Sequence, residues 1–166
     1  MHNIGKLPYR ECAQFVNDYF KMKGKGGSAW SHNYVTPYIN GYEGMGERPS
    51  RVGNDYARHM SYNMDAADNF KSKFNVNMLD PNKSYVANMY FNGSPWDYRT
   101  RMEGNSFAQG SHTGVVLFNK DKNQWVVRHN YHGNLMEDPL EDLIGSKYNL
   151  GITSISIPKK KFGGKI

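Results

Sequence analysis

The chain has 166 residues and a mass of 19.0 kDa, which is the size of one domain with a single hydrophobic core. Apolar residues make up 38% and glycines number 17, a globular composition rather than that of a disordered chain. The sequence has no apolar run of the ~18 residues that a membrane-spanning helix needs, and its opening, MHNIGKLPYR, has no apolar segment typical of a secretory signal. A single Cys excludes an internal disulfide framework and a multi-cysteine zinc site.

The positive charge is concentrated at one end of the sequence. The 21 Lys and Arg outnumber the 15 Asp and Glu, and four of these lysines lie in the last segment, PKKKFGGKI. We therefore divide the chain into a domain over 1–157 and a basic tail over 158–166. Charge in a tail, rather than along one element, argues against nucleic acid as a partner and fits a solvated terminus or contact with an acidic polymer.

A helix is predicted over Pro8–Lys23. Its apolar residues recur at the spacing of one buried stripe: Cys12, Phe15, Val16, Tyr19 and Phe20. Pro8 suits the first turn of a helix because its missing N–H needs no partner there. Cys12 is therefore predicted in the opening turns, on the inward face.

The middle of the chain changes character along its length. Residues 25–53 are rich in Gly, Pro, Asn and Tyr and predict an ordered loop. The spacing of apolar residues predicts a helix over 54–74, and Asp80-Pro81-Asn82-Lys83 predicts a turn before a strand over 84–91.

The strongest β pattern lies in the last third of the chain. The segments 111–118 (SHTGVVLF) and 124–131 (QWVVRHNY) predict a hairpin, and 150–157 (LGITSISI) predicts a last strand. A helix followed by an antiparallel sheet indicates an α+β domain.

A cysteine at a helix start, followed by a histidine that opens a strand, is a pattern typical of a thiol nucleophile and its base. A free thiol is mostly protonated at neutral pH, and a helix N-terminus or a nearby imidazole lowers its pKa. His112 would accept the thiol proton and return it to a leaving amine. The same residues also fit a buried core cysteine and a strand-end histidine without a role.

Three motifs occur in order along the chain: ECAQFVN at 11–17 with GSAW at 27–30, SHTGVVL at 111–117, and RHNYHG at 128–133. Together they resemble the motifs of the CHAP and NlpC-type cysteine hydrolases. The resemblance implies a papain-like α+β fold, with the catalytic helix packed on an antiparallel sheet and a large insertion over about 35–110 that sets substrate choice. It also implies cleavage of an amide bond in peptidoglycan, by an endopeptidase or an N-acetylmuramoyl-L-alanine amidase, without a cofactor.

The same resemblance maps Cys12 onto the nucleophile, His112 onto the base and Asn130 onto the group that orients the imidazole. Arg128 stands where CHAP domains carry Glu, and a cation cannot accept an imidazole N–H. The strand register decides the third residue. If Phe118 pairs with Gln124, His112 lies opposite Asn130, which we favour. If Phe118 pairs with Trp125, His112 shares its face with His129, the alternative third residue.

Other groups are candidates for binding substrate. The backbone N–H of Cys12 and the hydroxyl of Tyr9 are candidate oxyanion donors. Trp30 and Trp96 are candidates for lining a groove for sugar or peptide. All three side chains also fit roles as packing anchors.

Competing functions remain open from the sequence. His112, His129 and His132, with an acid such as Asp138, are candidate zinc ligands, although their spacing matches no common motif. A non-catalytic module binding cell wall or nucleic acid through the tail is a second alternative, and a thiol acyltransferase or deamidase is a third.

The expected partner is bacterial peptidoglycan. With no signal segment in the sequence, we expect synthesis in the cytoplasm and action on the wall after phage lysis, in a phage particle or through a secretion system. A phage lysin is slightly favoured over a secreted antibacterial effector, whose further expected partner is a cognate immunity protein.

Overall fold

We describe a computed structural model of the chain over residues 2–10, 12–21, 35–37, 56–91, 111–145 and 150–158. Its helices are α1 (Cys12–Tyr19) and α2 (Tyr56–Lys73), with 3-10 turns at Val76–Met78 and Leu140–Leu143. Its strands are β1 (His2–Lys6), β2 (Val35–Pro37), β3 (Tyr85–Phe91), β4 (Ser111–Asn119), β5 (Gln124–Tyr131), β6 (Asn134–Pro139) and β7 (Leu150–Pro158).

The strands form one sheet in the order β1-β6-β5-β4-β3-β7-β2, and every neighbouring pair is antiparallel. The α+β class predicted from the sequence is therefore confirmed. The region 35–110, predicted as an insertion, contains α2 and β3, and β3 lies between β4 and β7. This part of the region belongs to the domain core rather than to a peripheral loop.

Helix α1 is shorter than the predicted span Pro8–Lys23. It begins at Cys12 and ends at Tyr19, and Lys21 then takes a left-handed conformation with φ of 55°. The left-handed region ends a helix because its backbone cannot continue the right-handed hydrogen-bond ladder. Before the helix, Leu7 N–H donates to the carbonyl of Gly133 at 2.8 Å, so this segment is held against the β5–β6 turn.

The β4–β5 hairpin has a register set by its polar turn. The side chain of Asn119 accepts hydrogen bonds from the N–H groups of Asp121 and Lys122 at 3.1 and 3.2 Å, and Asn123 has a φ of 51°. Asn tolerates this left-handed conformation better than most residues. Phe118 consequently pairs with Trp125, and the favoured expectation that it pairs with Gln124 is corrected.

Two apolar clusters cover opposite faces of the sheet. On the α1 face, Phe15, Val16 and Phe20 pack on Val86 and Val115. The α2 face carries the larger cluster: Phe70, Leu79, Tyr85, Ala87, Met89, Val116, Val127, Leu140, Leu143, Ile152 and Ile155. Because side chains alternate along a strand, each residue of β4, β5 and β6 is assigned to one face.

Among the residues that the structure describes, no helix is long and apolar enough to cross a bilayer.

Candidate functional site

Three ionisable side chains from adjacent strands form a continuous series of hydrogen bonds. His112 Nε2 lies 2.9 Å from His129 Nδ1, and His129 Nε2 lies 2.6 Å from Asp138 Oδ2. Strands β4, β5 and β6 each contribute one of these residues to the α2 face. We call this series the His-His-Asp relay.

The hydrogen-bonding capacity of each group sets the direction of the relay. An ionised carboxylate only accepts, so His129 Nε2 carries the hydrogen that is donated to Asp138. With His129 neutral, its Nδ1 is an acceptor, and His112 Nε2 must donate to it. The lone pair of His112 then lies on Nδ1, which is the nitrogen left to accept a proton.

All three residues of the relay are buried, and burial changes the pKa values of His112 and Asp138. His129 has no exposed surface, and His112 and Asp138 are buried. Burial, together with the nearby His129 and His132, lowers the pKa of His112 well below its usual 6.5. Burial raises the pKa of Asp138. The hydrogen bond and charge of His129, followed by the charge and hydrogen bond of the N-terminal amino group, outweigh it, so that this pKa lies below its usual 3.8.

Gly114 provides the space in which His129 approaches β4. A Cβ atom at Gly114 would lie 2.9 Å from the carbonyl oxygen of Arg128 and 3.0 Å from Cβ of His129. Both distances are shorter than normal van der Waals contacts, so a side chain at this position would displace β5. The glycine of the His-Thr-Gly motif is therefore required by packing against the relay.

Asn130 lies on the other face and has a different set of partners. Its side chain donates to the carbonyl of Tyr9 at 3.0 Å and accepts from Gly133 N–H at 2.8 Å. The β5–β6 turn that it supports has left-handed conformations at His132 and Gly133, with φ of 54° and 93°. Asn130 thus ties this turn to the segment before α1, and the structure brings His129, not Asn130, to His112.

Cys12 lies at the first position of α1 and is half-buried. The start of the helix is held at the end of the sheet where His112 is found, because Asn130 near the end of β5 donates to the carbonyl of Tyr9 at 3.0 Å, and the antiparallel pairing puts the end of β5 beside the start of β4. The body of α1, however, packs on the α1 face, whereas His112 lies on the α2 face. The structure therefore brings the beginning of the helix and His112 to one end of the sheet, but from opposite faces.

Of the other candidate substrate-binding side chains, Tyr9 is among the residues that the structure describes. The hydroxyl of Tyr9 is hydrogen-bonded to Asp18; partial burial and this carboxylate raise the pKa of Tyr9 to about 12. Trp30, Trp96 and the tail beyond Pro158 lie outside the described residues.

The zinc alternative finds no support in the geometry. Over the ranges that the structure describes, no three His, Cys, Asp or Glu side chains are placed to hold one metal ion. His112 and His129 are hydrogen-bonded to one another, so the two nitrogens involved are not directed at a shared ion.

From the sequence, Asp138 was a candidate only as a metal ligand, and strand β6 was not predicted. The signal was present, since Gly133 follows His132 in a position typical of a two-residue hairpin turn. A strand after that turn places Asp138 beside β5.

Comparisons with protein-family models, curated proteins and solved structures found no match to this chain.

Proposed function

We propose that the protein is a thiol-dependent hydrolase that cleaves an amide bond in peptidoglycan. The observation that carries the proposal is the buried relay ending at His112, at the end of the sheet where the start of α1 holds Cys12. The choice of peptidoglycan rests on the ordered resemblance of the three motifs to CHAP and NlpC-type hydrolases. A phage lysin or a delivered antibacterial effector is the proposed biological setting.

In the proposed reaction, Nδ1 of His112 takes the proton of the Cys12 thiol, and the thiolate sulfur attacks the amide carbonyl carbon. The C–N bond breaks, His112 returns the proton to the departing amine, and a thioester remains on Cys12. Water then attacks the thioester while His112 takes one of its protons. The C–S bond breaks, the carboxylic acid leaves, and His112 returns its proton to the Cys12 thiolate, which restores the thiol.

Two features of the site bear on the first step. The Cys12 N–H is at the first position of α1, which makes it the candidate donor to an oxyanion. The lowered pKa of His112 keeps its imidazole neutral at neutral pH, so the thiol proton transfers during attack rather than forming a stable ion pair beforehand.

The proposed reaction requires the side chains of Cys12 and His112 to come into contact. Sγ of Cys12 must reach Nδ1 of His112 around the start of β4, because the body of α1 and the imidazole lie on opposite faces of the sheet. This contact can be tested without substrate, because Cys12 is the single cysteine of the chain and alkylation reports on it alone.

Iodoacetamide alkylation rates should be measured against pH for wild type, His112→Ala and His2→Ala. His2 is exposed on β1 and provides the matched histidine control. We expect His112→Ala to slow alkylation near neutral pH roughly tenfold, because the thiol then lacks the base that takes its proton during attack. Identical profiles for wild type and His112→Ala would show that the two side chains do not meet.

The activity itself is tested on isolated peptidoglycan with a chelator present, followed by mass spectrometry of the released fragments. Wild type and His2→Ala should release fragments whose masses identify the cleaved bond, whereas Cys12→Ala and His112→Ala should not. Equal release by wild type and Cys12→Ala would exclude the thiol mechanism. No release by wild type would exclude peptidoglycan hydrolysis.

A further inference from the structure

We propose that Asp138 is a positioning residue which, through His129, sets the tautomer of His112 so that Nδ1 is the proton acceptor. This inference rests on the proposed hydrolase function and extends its catalytic machinery to a third strand. Asp138 touches neither the thiol nor the substrate in this scheme; it acts only through the imidazole between them.

The strand register explains why Asp138, rather than its neighbour, has this position. Val127 pairs with Asp138 and His129 pairs with Met136, so Asp138 and His129 lie diagonally on the same face. Glu137 points to the opposite face, where it bonds Arg128 at 2.8 Å and Lys122 at 3.0 Å. Two adjacent carboxylates therefore belong to two separate networks.

The hydrogen-bonding capacity of the buried Asp138 carboxylate selects the tautomers of His129 and His112. Asp138 accepts but does not donate, so it selects the His129 tautomer with hydrogen on Nε2, and His129 in turn selects hydrogen on Nε2 of His112. An amide at position 138 offers an N–H as well as a carbonyl. It would allow the reverse arrangement, in which each imidazole carries its hydrogen on Nδ1 and His112 loses its acceptor there.

Asp138 also supplies negative charge when His112 becomes an imidazolium. The cation forms in a buried environment that disfavours it. A carboxylate hydrogen-bonded to the neighbouring His129 offsets part of that penalty, because charges interact more strongly where water is excluded. Without this charge, His112 is a weaker base.

The tautomers are measured directly by ¹⁵N–¹H correlation spectra of the imidazoles in wild type, Asp138→Asn and Glu137→Gln. Glu137→Gln is the matched control, since it makes the same chemical change one residue away on the other face. Signals are assigned by their loss in His112→Ala and His129→Ala. We expect wild type and Glu137→Gln to carry hydrogen on Nε2 of both residues and Asp138→Asn to shift both toward Nδ1.

The alkylation assay gives a second measurement on the same proteins. Asp138→Asn should slow Cys12 alkylation near neutral pH by roughly tenfold, and Glu137→Gln should leave it within about twofold of wild type. A wild-type His112 with hydrogen on Nδ1 overturns the proposal, even if Asp138→Asn does not fold. Unchanged tautomers in a folded Asp138→Asn also overturn it. Failure of the hydrolase proposal appears separately, as absence of fragment release by wild type.

Discussion

The two sides of strand β6 carry adjacent buried carboxylates with different partners. On the α1 face, Glu137 is paired with Arg128 and Lys122, whose side chains are 32% and 52% exposed. On the α2 face, Asp138 is paired with His129, which is fully buried. The partners of the first carboxylate are two cations at the edge of water, whereas the second is hydrogen-bonded to a buried titratable ring and also lies close to the N-terminal amino group.

This difference separates a structural ion pair from a group suited to proton chemistry. Burial raises the pKa of Glu137, but hydrogen bonds from Arg128 and then Lys122, and their charges, outweigh it, so its pKa lies below the usual 4.5. The partner of Asp138 is an imidazole bonded to a second imidazole, and only that network can pass a change of protonation to another side chain.

The largest expected loss of stability comes from a substitution at Gly114, which packs against the His-His-Asp relay. Gly114→Ala should destabilise the protein by about 1–3 kcal/mol, the usual cost of overpacking a core, because its Cβ meets β5 below 3.1 Å. Chemical denaturation measures this loss. Gly5→Ala is the control, since its Cβ would lie 3.9 Å from Leu135, a normal contact. Equal stability of both variants would show that β5 does not lie this close to Gly114.

The contribution of the Glu137 ion pairs to stability is tested by Glu137→Gln. Hydrogen bonds to charged groups contribute about 1.5–3 kcal/mol, and the partly exposed partners favour the lower end of that range. We expect a loss of about 1.5 kcal/mol at pH 7 in urea unfolding, against little change for Glu141→Gln, whose residue is exposed. The difference between wild type and Glu137→Gln should shrink as the pH falls from 4.5 through the lower pKa of the folded carboxylate, because the unfolded chain binds this proton more readily than the folded protein. A difference independent of pH would rule out the ion pair as its source.

A smaller loss of stability is expected when the pH is lowered, because of His112 in the relay. The pKa of His112 is lowered in the folded state by burial, and by His129 and His132, so the unfolded state binds more protons below pH 6.5. Stability therefore falls as the pH drops from 7.5 to 5.5, by about 1 kcal/mol from this group. The measurement is the change in unfolding free energy between these two pH values, in wild type and in His112→Asn. The same change in both would show that His112 does not titrate differently on folding.

The smallest effect concerns Tyr9, beside the start of α1. Its pKa is about 12 in the folded protein against an ordinary value of 10, so the unfolded chain loses this proton first as the pH rises. Stability should therefore decline between pH 10 and 12, and the decline should be smaller in Tyr9→Phe. Because Tyr9 is partly exposed, the effect is modest. Thermal unfolding followed over this pH interval measures it, and parallel declines in both proteins would contradict it.

Local sequence patterns predicted most of the regular elements. The hairpin strands, the strand over 84–91 and the last strand lie within a residue of their predicted bounds, since alternation and turn residues act over short distances. Strand β2 was missed because it lies within the segment 25–53, which was predicted as a loop. Strands β1 and β6 were missed because HNIGK and NLMEDP are short and polar at several positions. Their pairing with one another, rather than their own propensity, makes them strands.

The sequence by itself determined the chemistry that is available: one thiol at a helix start, a histidine at a strand start and a second histidine after it. It also determined the α+β class, because helical and strand periodicities are local. Only the tertiary structure decided that His129 rather than Asn130 meets His112, that Asp138 ends the relay, and that α1 and His112 lie on different faces. These outcomes depend on strand register, where a slip of one residue moves every side chain to the other face.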